Sequence, residues 1–193
     1  MVEKKLHQYQ EILESWYPGL QEQSRTLKDI INGMPGYEQK DVPFFVWLLE
    51  NPKSPIAMPG YISLFNHDCI HILLGRGLLP QDEAFVIGFT MGNNSKVRNY
   101  HCSIFKFFSL YLYPPNFKLQ KRDLFAFELG FKYGRERTVR DINKIDFNEY
   151  CQLPIREVRD KMNIQRSDLI EMRKTEHGMI PDSNESKRLL DFS

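Results

Sequence analysis

The chain has few cysteines, and their spacing argues against two classes of small protein. Cys69, Cys102 and Cys151 lie far apart and include no Cys-x-x-Cys pair. Neither a disulfide framework nor a zinc ribbon fits such an arrangement. We therefore expect a reducing, cytoplasmic environment.

The chain also lacks an excess of charge of one sign and any long apolar run. Its 26 Lys plus Arg residues face 25 Asp plus Glu residues, so no overall positive field favours nucleic acid as a partner. No stretch approaches the roughly 20 apolar residues of a membrane span, and the N-terminal residues have no signal-peptide core. We expect a soluble protein, or one peripheral on the inner face of a membrane.

Alternating β-branched runs are scarce, and apolar residues recur instead at helical spacing. The pattern predicts an all-α fold: one helical domain over residues 1–178, a bundle of about seven to eight helices, and a polar, poorly ordered tail over 179–193. The predicted helices cover residues 3–17, 24–31, 41–50, 61–74, 80–91, 96–113, 119–137 and 154–162.

The stretch NHDCIHILLGRGLLPQDEAF, residues 66–85, concentrates residue types that bind metals. His67 and His71 are four residues apart, so on a helix both imidazoles lie on one face. Asp68 lies about 100° around the helix from His67, close enough to bind the same ion or to contact a ligand.

The chain after His71 predicts a fourth member of this site. Gly75 is suited to end one helix and Pro80 to begin the next. The short connection makes the two helices antiparallel neighbours, which returns Glu83 to the side of His71. The predicted metal-site residues are His67, Asp68, His71 and Glu83.

Imidazole and carboxylate ligands suit a divalent metal. We expect zinc first, with iron, manganese or magnesium as alternatives. Zinc proteases of the His-Glu-x-x-His type place a glutamate where Asp68 stands, one methylene longer, so peptide hydrolysis is less expected here. The alternative is that the histidines are ordinary core or surface residues and the two acids are solvated.

Two motifs resemble those of a known family. The first motif is His67-Asp68-x-x-His71 followed by Glu83 after eleven residues. It is similar to a motif of a coenzyme Q (ubiquinone) biosynthesis family, the fourth of the numbered coenzyme Q biosynthesis proteins. The segment LPIREVRDKMNI, residues 153–164, resembles that family's closing segment. The approach to the first histidine, YISLFN, and the segment GFTMGNN after Glu83 depart from the family pattern, so a divergent, bacterial-type member is indicated.

The resemblance implies a helical, metal-binding protein of quinone biosynthesis. Its expected ligand is a polyisoprenoid or prenylated aromatic precursor, and its expected partners are other quinone-biosynthesis proteins. Such a protein either removes the ring carboxyl group with oxidation at that carbon or organises the biosynthetic complex without catalysis. A metal-dependent hydrolase using Glu83 or Asp68 as base is a third alternative, and no catalytic residue is assigned.

Aromatic residues crowd two predicted helices and predict one of two structures. They line an apolar tunnel for an isoprenoid tail, or they form an ordinary core together with a homodimer interface. An exposed apolar face would also allow docking on a membrane. The residues are Phe105, Phe107, Phe108, Tyr111, Tyr113, Phe125, Phe127, Phe131 and Tyr133.

Overall fold

The structure is a computed structural model that describes residues 15–35, 62–113, 118–136 and 138–188. Within these ranges the chain forms eight α-helices, two 3₁₀ turns and no strand, which confirms the predicted all-α bundle. The helices are α1 (Leu27–Ile31), α2 (Leu64–Leu74), α3 (Pro80–Asn93), α4 (Asn99–Tyr111), α5 (Asp123–Glu136), α6 (Ile155–Lys161), α7 (Arg166–Met179) and α8 (Asn184–Arg188).

Most predicted helices within these ranges occur with shifted ends. The helix predicted at 41–50 lies outside the described residues, as does the one at 3–17 up to residue 14; of its last three residues Ser15 is helical and Trp16 and Tyr17 are not. The helix predicted from Ser24 begins at Leu27, because the Thr26 hydroxyl caps it by accepting from the Asp29 N–H at 3.1 Å. Helix α7 was not predicted. Its buried residues are Leu169, Arg173 and Glu176, so two charged positions interrupt the apolar periodicity that would indicate a helix.

The expectation of a poorly ordered tail is wrong for residues 179–188. Glu185 and Ser186 of α8 are buried. The Gln81 backbone N–H donates to Glu185 Oε1 at 3.2 Å, and the Gln81 side-chain amide donates to Ser186 Oγ at 2.9 Å. This segment is polar because it contacts polar groups at the first turn of α3.

Helices α3 and α5 pack in parallel with their backbones in direct contact. Gly88 and Gly92 of α3 face the carbonyl groups of Phe127 and Phe131 on α5, and Gly130 and Gly134 of α5 face those of Phe85 and Phe89. A Cβ at any of the four glycines would overlap a backbone oxygen of the other helix. Two Gly-x-x-x-Gly segments therefore determine how closely these helices approach.

Helices α2 and α3 lie at the centre of the core. From Cys69 to Leu74 every residue of α2 is buried, and α3 is buried from Ala84 to Asn93. Helix α4 buries one side only, through Cys102, Phe105 and Ser109. Among the described residues, no helix combines the length and apolarity needed to cross a bilayer.

We predict that Gly92→Ala lowers the free energy of unfolding by about 1–3 kcal/mol or more, because the new methyl group would separate two packed backbones. Gly178→Ala is the matched control, since nothing lies within 4 Å of its added Cβ on helix α7. That variant should gain about 0.5–1 kcal/mol from helix propensity. Urea unfolding measures the free energy of unfolding of both variants. An equal change in the two would contradict the close backbone contact between α3 and α5.

Candidate metal centre

Local signals position the two helices that carry the site. The Ser63 hydroxyl caps α2 by accepting from the Asn66 N–H at 3.2 Å. Gly75 ends α2 in the left-handed conformation with φ of 64°, and a side chain there would collide with the Arg173 guanidinium and the Gly19 carbonyl. Pro80 then occupies the first turn of α3. The predicted helix–loop–helix arrangement is present.

The structure brings His67, His71 and Glu83 together at the junction of these helices. The two Nε2 atoms of the histidines are 3.0 Å apart. Glu83 Oε2 lies 3.3 Å from His67 Nε2, and Glu83 Oε1 lies 3.3 Å from His71 Nε2. One potential ligand atom from each residue thus falls within 4.8 Å of the others.

A hydrogen bond fixes the orientation of the central histidine. His71 is fully buried, and its Nδ1–H donates to the Gly77 carbonyl at 2.8 Å. A ring that donates through Nδ1 carries its lone pair on Nε2 when neutral, and that atom faces the cluster. The connection between α2 and α3 therefore holds the imidazole in the tautomer that binds metals.

Asp68 lies outside this three-residue cluster. Burial raises the pKa of its carboxyl to about 6, against the opposing attraction of His67 and His71. A partly buried carboxyl that interacts electrostatically with both imidazoles fits a neighbour of the ligands better than a ligand. The geometry thus divides the predicted set into three converging residues and one adjacent acid.

In the cluster, Glu83 stabilises the protonated form of His71, and the histidines stabilise the ionised form of Glu83. Burial alone would raise the pKa of Glu83, but His71 and His67 hold it well below its usual value. Burial alone would lower the pKa of His71, but Glu83 raises it. Glu83 also lies in the first turn of α3 and His71 in the last turn of α2, where helix dipoles favour an anion and a cation respectively.

Two imidazoles and one carboxylate form a donor set that fits a divalent ion. The same set occurs at catalytic zinc sites and at non-haem iron sites, where three protein ligands leave further coordination positions open. Structural zinc sites, in contrast, are closed by four protein ligands. Among the described residues, three side chains of the cluster each offer one ligand atom. Three protein ligands are the number typical of an open site.

A buried network of charges lies behind the cluster and was not found by sequence reasoning. Arg76, in the α2–α3 connection, donates to Glu176 Oε1 and Oε2 at 2.9 and 2.7 Å. Gln81 donates to the same carboxylate at 2.5 Å, and the Arg76 guanidinium lies 3.7 Å from the centre of the Phe85 ring. The ion pair thus connects the loop of the site to helix α7.

Further cations reach the same region from the C-terminal half. Arg188 pairs with Asp82, the neighbour of Glu83. Arg159 donates to the Leu73 carbonyl at 2.8 Å, and burial lowers the pKa of this guanidinium to about 10. The charged residues of the segments 153–188 thus bind both ends of the α2–α3 connection, a role that local periodicity does not reveal.

Fold and site together define an all-α protein with a His-His-Glu candidate metal centre. No family model, curated protein or solved structure matches the chain. The family resemblance therefore stays an expectation, and function has to be argued from the geometry.

We predict that His71→Ala and Glu83→Gln abolish stoichiometric binding of zinc, because the first removes a ligand atom and the second replaces the anionic carboxylate by a neutral amide, a weaker ligand. Asp68→Asn should retain the ion with an affinity reduced by at most about 10- to 100-fold, as expected for a residue beside the ligands. Elemental analysis and zinc titration of protein purified without a tag or chelator measure this.

His101→Ala is the matched control, since His101 lies on α4 outside the cluster, and it should bind zinc as the wild type does. Circular dichroism checks that each variant keeps its helices. A folded His71→Ala protein that still binds one zinc would contradict the site, and complete loss in Asp68→Asn would make Asp68 a ligand.

We predict that Glu176→Gln lowers the free energy of unfolding by about 3–5 kcal/mol, because it removes the charge of the carboxylate that accepts both short hydrogen bonds of the buried Arg76 and leaves, among the described residues, only Asp82, 3.9 Å away, to offset that cation. Glu171→Gln makes the same change at an exposed position of α7 and should alter stability by less than about 0.5 kcal/mol. Chemical denaturation compares the two. Similar losses of unfolding free energy in the two variants would mean that the buried ion pair stabilises the fold no more than an exposed carboxylate does.

Proposed function

We propose that this protein binds a divalent metal at His67, His71 and Glu83 and uses it to hold a prenylated aromatic acid of quinone biosynthesis. The convergence of three ligand atoms within 4.8 Å carries the proposal. Three protein ligands leave room for the carboxylate or phenolate of such a substrate. The candidate metal site and the two sequence motifs both support this class of ligand.

The residues of the chain have distinct roles in this proposal. His71, held by the Gly77 carbonyl, and His67 would present their Nε2 atoms to the ion. Glu83 would supply the anionic ligand, since its neighbours keep it ionised. Asp68, a carboxyl beside both imidazoles that does not join the cluster, would act as an acid or base next to the ion.

The aromatic residues of α4 and α5 do not all serve one purpose. Phe105 and Phe127 are buried and stack on each other at 4.9 Å between ring centres, as expected for core residues. Phe107 and Tyr111 are exposed. These contacts favour a core together with an exposed face over a tunnel between the two helices.

A groove near the N-terminal end of the described chain is a candidate for the isoprenoid tail. It has a volume of about 530 Å³, a size typical of small-molecule sites. Its lining combines the apolar side chains of Trp16, Tyr17 and Ile30 with the charged side chains of Glu22 and Arg25. The Trp16 carbonyl would lie 2.9 Å from a Cβ at Gly77. The groove thus adjoins the loop that orients His71.

The chemistry we propose is loss of the ring carboxyl group. When bound, a divalent ion would stabilise the charge that develops as CO₂ leaves and, if it is iron or manganese, would also support reaction with O₂. In the simple reaction the ring–carboxyl bond breaks and the ring carbon takes a proton. In the oxidative reaction O₂ and a two-electron reductant convert the acid to a phenol, CO₂ and water.

Two other functions use the same residues. A metal that only braces α2 against α3 would give a non-catalytic lipid-binding scaffold for other quinone-biosynthesis proteins, as a monomer or a homodimer. A hydrolase requires a carboxylate beside the metal to act as base. Asp68 is the observation that favours the hydrolase, since it lies next to the cluster without joining it.

The test compares a prenylated 4-hydroxybenzoate with its methyl ester, which has the same tail but no free carboxylate. We predict that the metal-loaded protein binds the acid at least about tenfold more tightly than the ester. Glu83→Gln should remove this preference. Calorimetry measures binding, and release of CO₂, with and without O₂ and an added reductant, measures turnover.

Each outcome separates the alternatives. Preference for the acid with CO₂ release supports the decarboxylase, and preference without turnover supports the scaffold. Equal binding of acid and ester by the metal-loaded protein would contradict the proposed substrate. Hydrolysis of the methyl ester that is lost in Asp68→Asn would establish the hydrolase instead.

A further inference from the structure

The C-terminal helix α8 contacts the helical turn that carries one ligand of the candidate metal centre. Glu185 Oε1 accepts from the Gln81 backbone N–H at 3.2 Å, and Ser186 Oγ accepts from the Gln81 side-chain amide at 2.9 Å. Gln81 lies in the first turn of α3, two residues before Glu83. Helix α8 is therefore joined to the turn that presents the carboxylate.

Arg188, the last residue of α8, contacts this turn and also the loop that orients His71. Its guanidinium pairs with the buried Asp82, the neighbour of Glu83. A Cβ at Gly77 would lie 2.8 Å from Arg188 Nη2 and 3.0 Å from Asp82 Oδ2. The Gly77 carbonyl is the acceptor for His71 Nδ1–H. One cation thus lies between the segments that place two of the three ligands.

The position of Arg188 is itself restricted. Its guanidinium carbon lies 5.0 Å from the centre of the Tyr17 ring, and that of Arg173 lies 5.5 Å from the same centre. The Arg188 side chain is only 18% exposed. A cation that contacts an aromatic ring and a buried carboxylate is held by both. Displacing it would leave Asp82 with the Arg76 guanidinium at 3.9 Å.

We propose that Arg188 is a positioning residue for the metal centre, so that docking of α8 and binding of the metal are coupled. When α8 is displaced, the loop at Gly77 and the turn at Glu83 lose a shared contact. A metal ion then has to order them as it binds, which lowers its affinity. The proposal rests on the metal site of the proposed function and adds that the C-terminal segment controls its occupancy.

The first test measures the zinc affinity of the full chain by competition with a chromophoric chelator. Arg188→Gln should raise the dissociation constant by about tenfold, as is typical of residues that support metal ligands. Arg188→Lys should recover most of this loss, because it keeps a cation beside Asp82. Lys187→Gln is the matched control, since Lys187 is exposed on the same helix, and it should bind zinc as the wild type does.

Cobalt separates positioning from a general loss of stability. The visible absorption of bound Co²⁺ depends on the geometry of its ligands. In protein saturated with Co²⁺, the bands of Arg188→Gln should shift from those of the wild type, whereas those of Lys187→Gln should not. Circular dichroism checks that each variant keeps its helices. Unchanged bands in a folded Arg188→Gln protein would contradict the positioning role.

A substitution in the loop tests the same contact from its other side. The methyl group of Gly77→Ala would press on Arg188 and Asp82, so this variant should also weaken zinc binding. Because both changes disturb one contact, Gly77→Ala/Arg188→Gln should lose less affinity than the product of the two single losses. Fully independent losses would contradict a shared contact.

Coupling is reciprocal, so bound metal should stabilise the docked position of α8 by the same factor. Cleavage by trypsin after Lys187, followed by mass spectrometry, reports how often α8 opens. Saturating zinc should slow this cleavage in the wild type by about tenfold. Glu83→Gln is the control for any effect of zinc on the protease, and its cleavage rate should not change.

The outcomes distinguish this proposal from the proposed function. A wild type that binds zinc, with Arg188→Gln indistinguishable from Lys187→Gln, would overturn the coupling and leave the metal site intact. A wild type that binds no zinc would overturn both.

Discussion

The buried ion pair between Arg76 and Glu176 is the contact on which the arrangement of the site depends. Arg76 lies in the connection between α2 and α3, and two parallel N–H···O bonds join it to a residue 100 positions away in sequence. Removing two charges from water is costly unless each meets its partner. The pair therefore holds the connection against α7, next to the first turn of α3 that carries Glu83.

Part of the fold and site could be predicted because the signals are local. Ser63, Gly75 and Pro80 mark the ends of the site helices, and the four-residue spacing of two histidines places them on one face. The exclusion of Asp68 could not be predicted, since it depends on side-chain direction around a helix whose packing partners come from distant segments. Helix α7 was missed because its buried side includes Arg173 and Glu176.

The contact between α3 and α5 is a second feature that could not be predicted from the sequence. The Gly-x-x-x-Gly spacings at Gly88 and Gly130 are visible in the sequence, but a parallel contact between these helices requires α4 to cross between them. Helix α4 makes this return connection and buries one side only, through Cys102, Phe105 and Ser109. The glycine contacts join residues about 40 positions apart, a pairing that local periodicity does not specify.

X-ray absorption at the metal edge tests the central claim most directly, because it reports the donor atoms around the ion. Protein loaded with one zinc should show two imidazole nitrogens at about 2.0–2.1 Å with the remaining donors oxygen. Sulfur scattering from Cys69, or a spectrum without imidazole, would contradict a centre built from His67, His71 and Glu83.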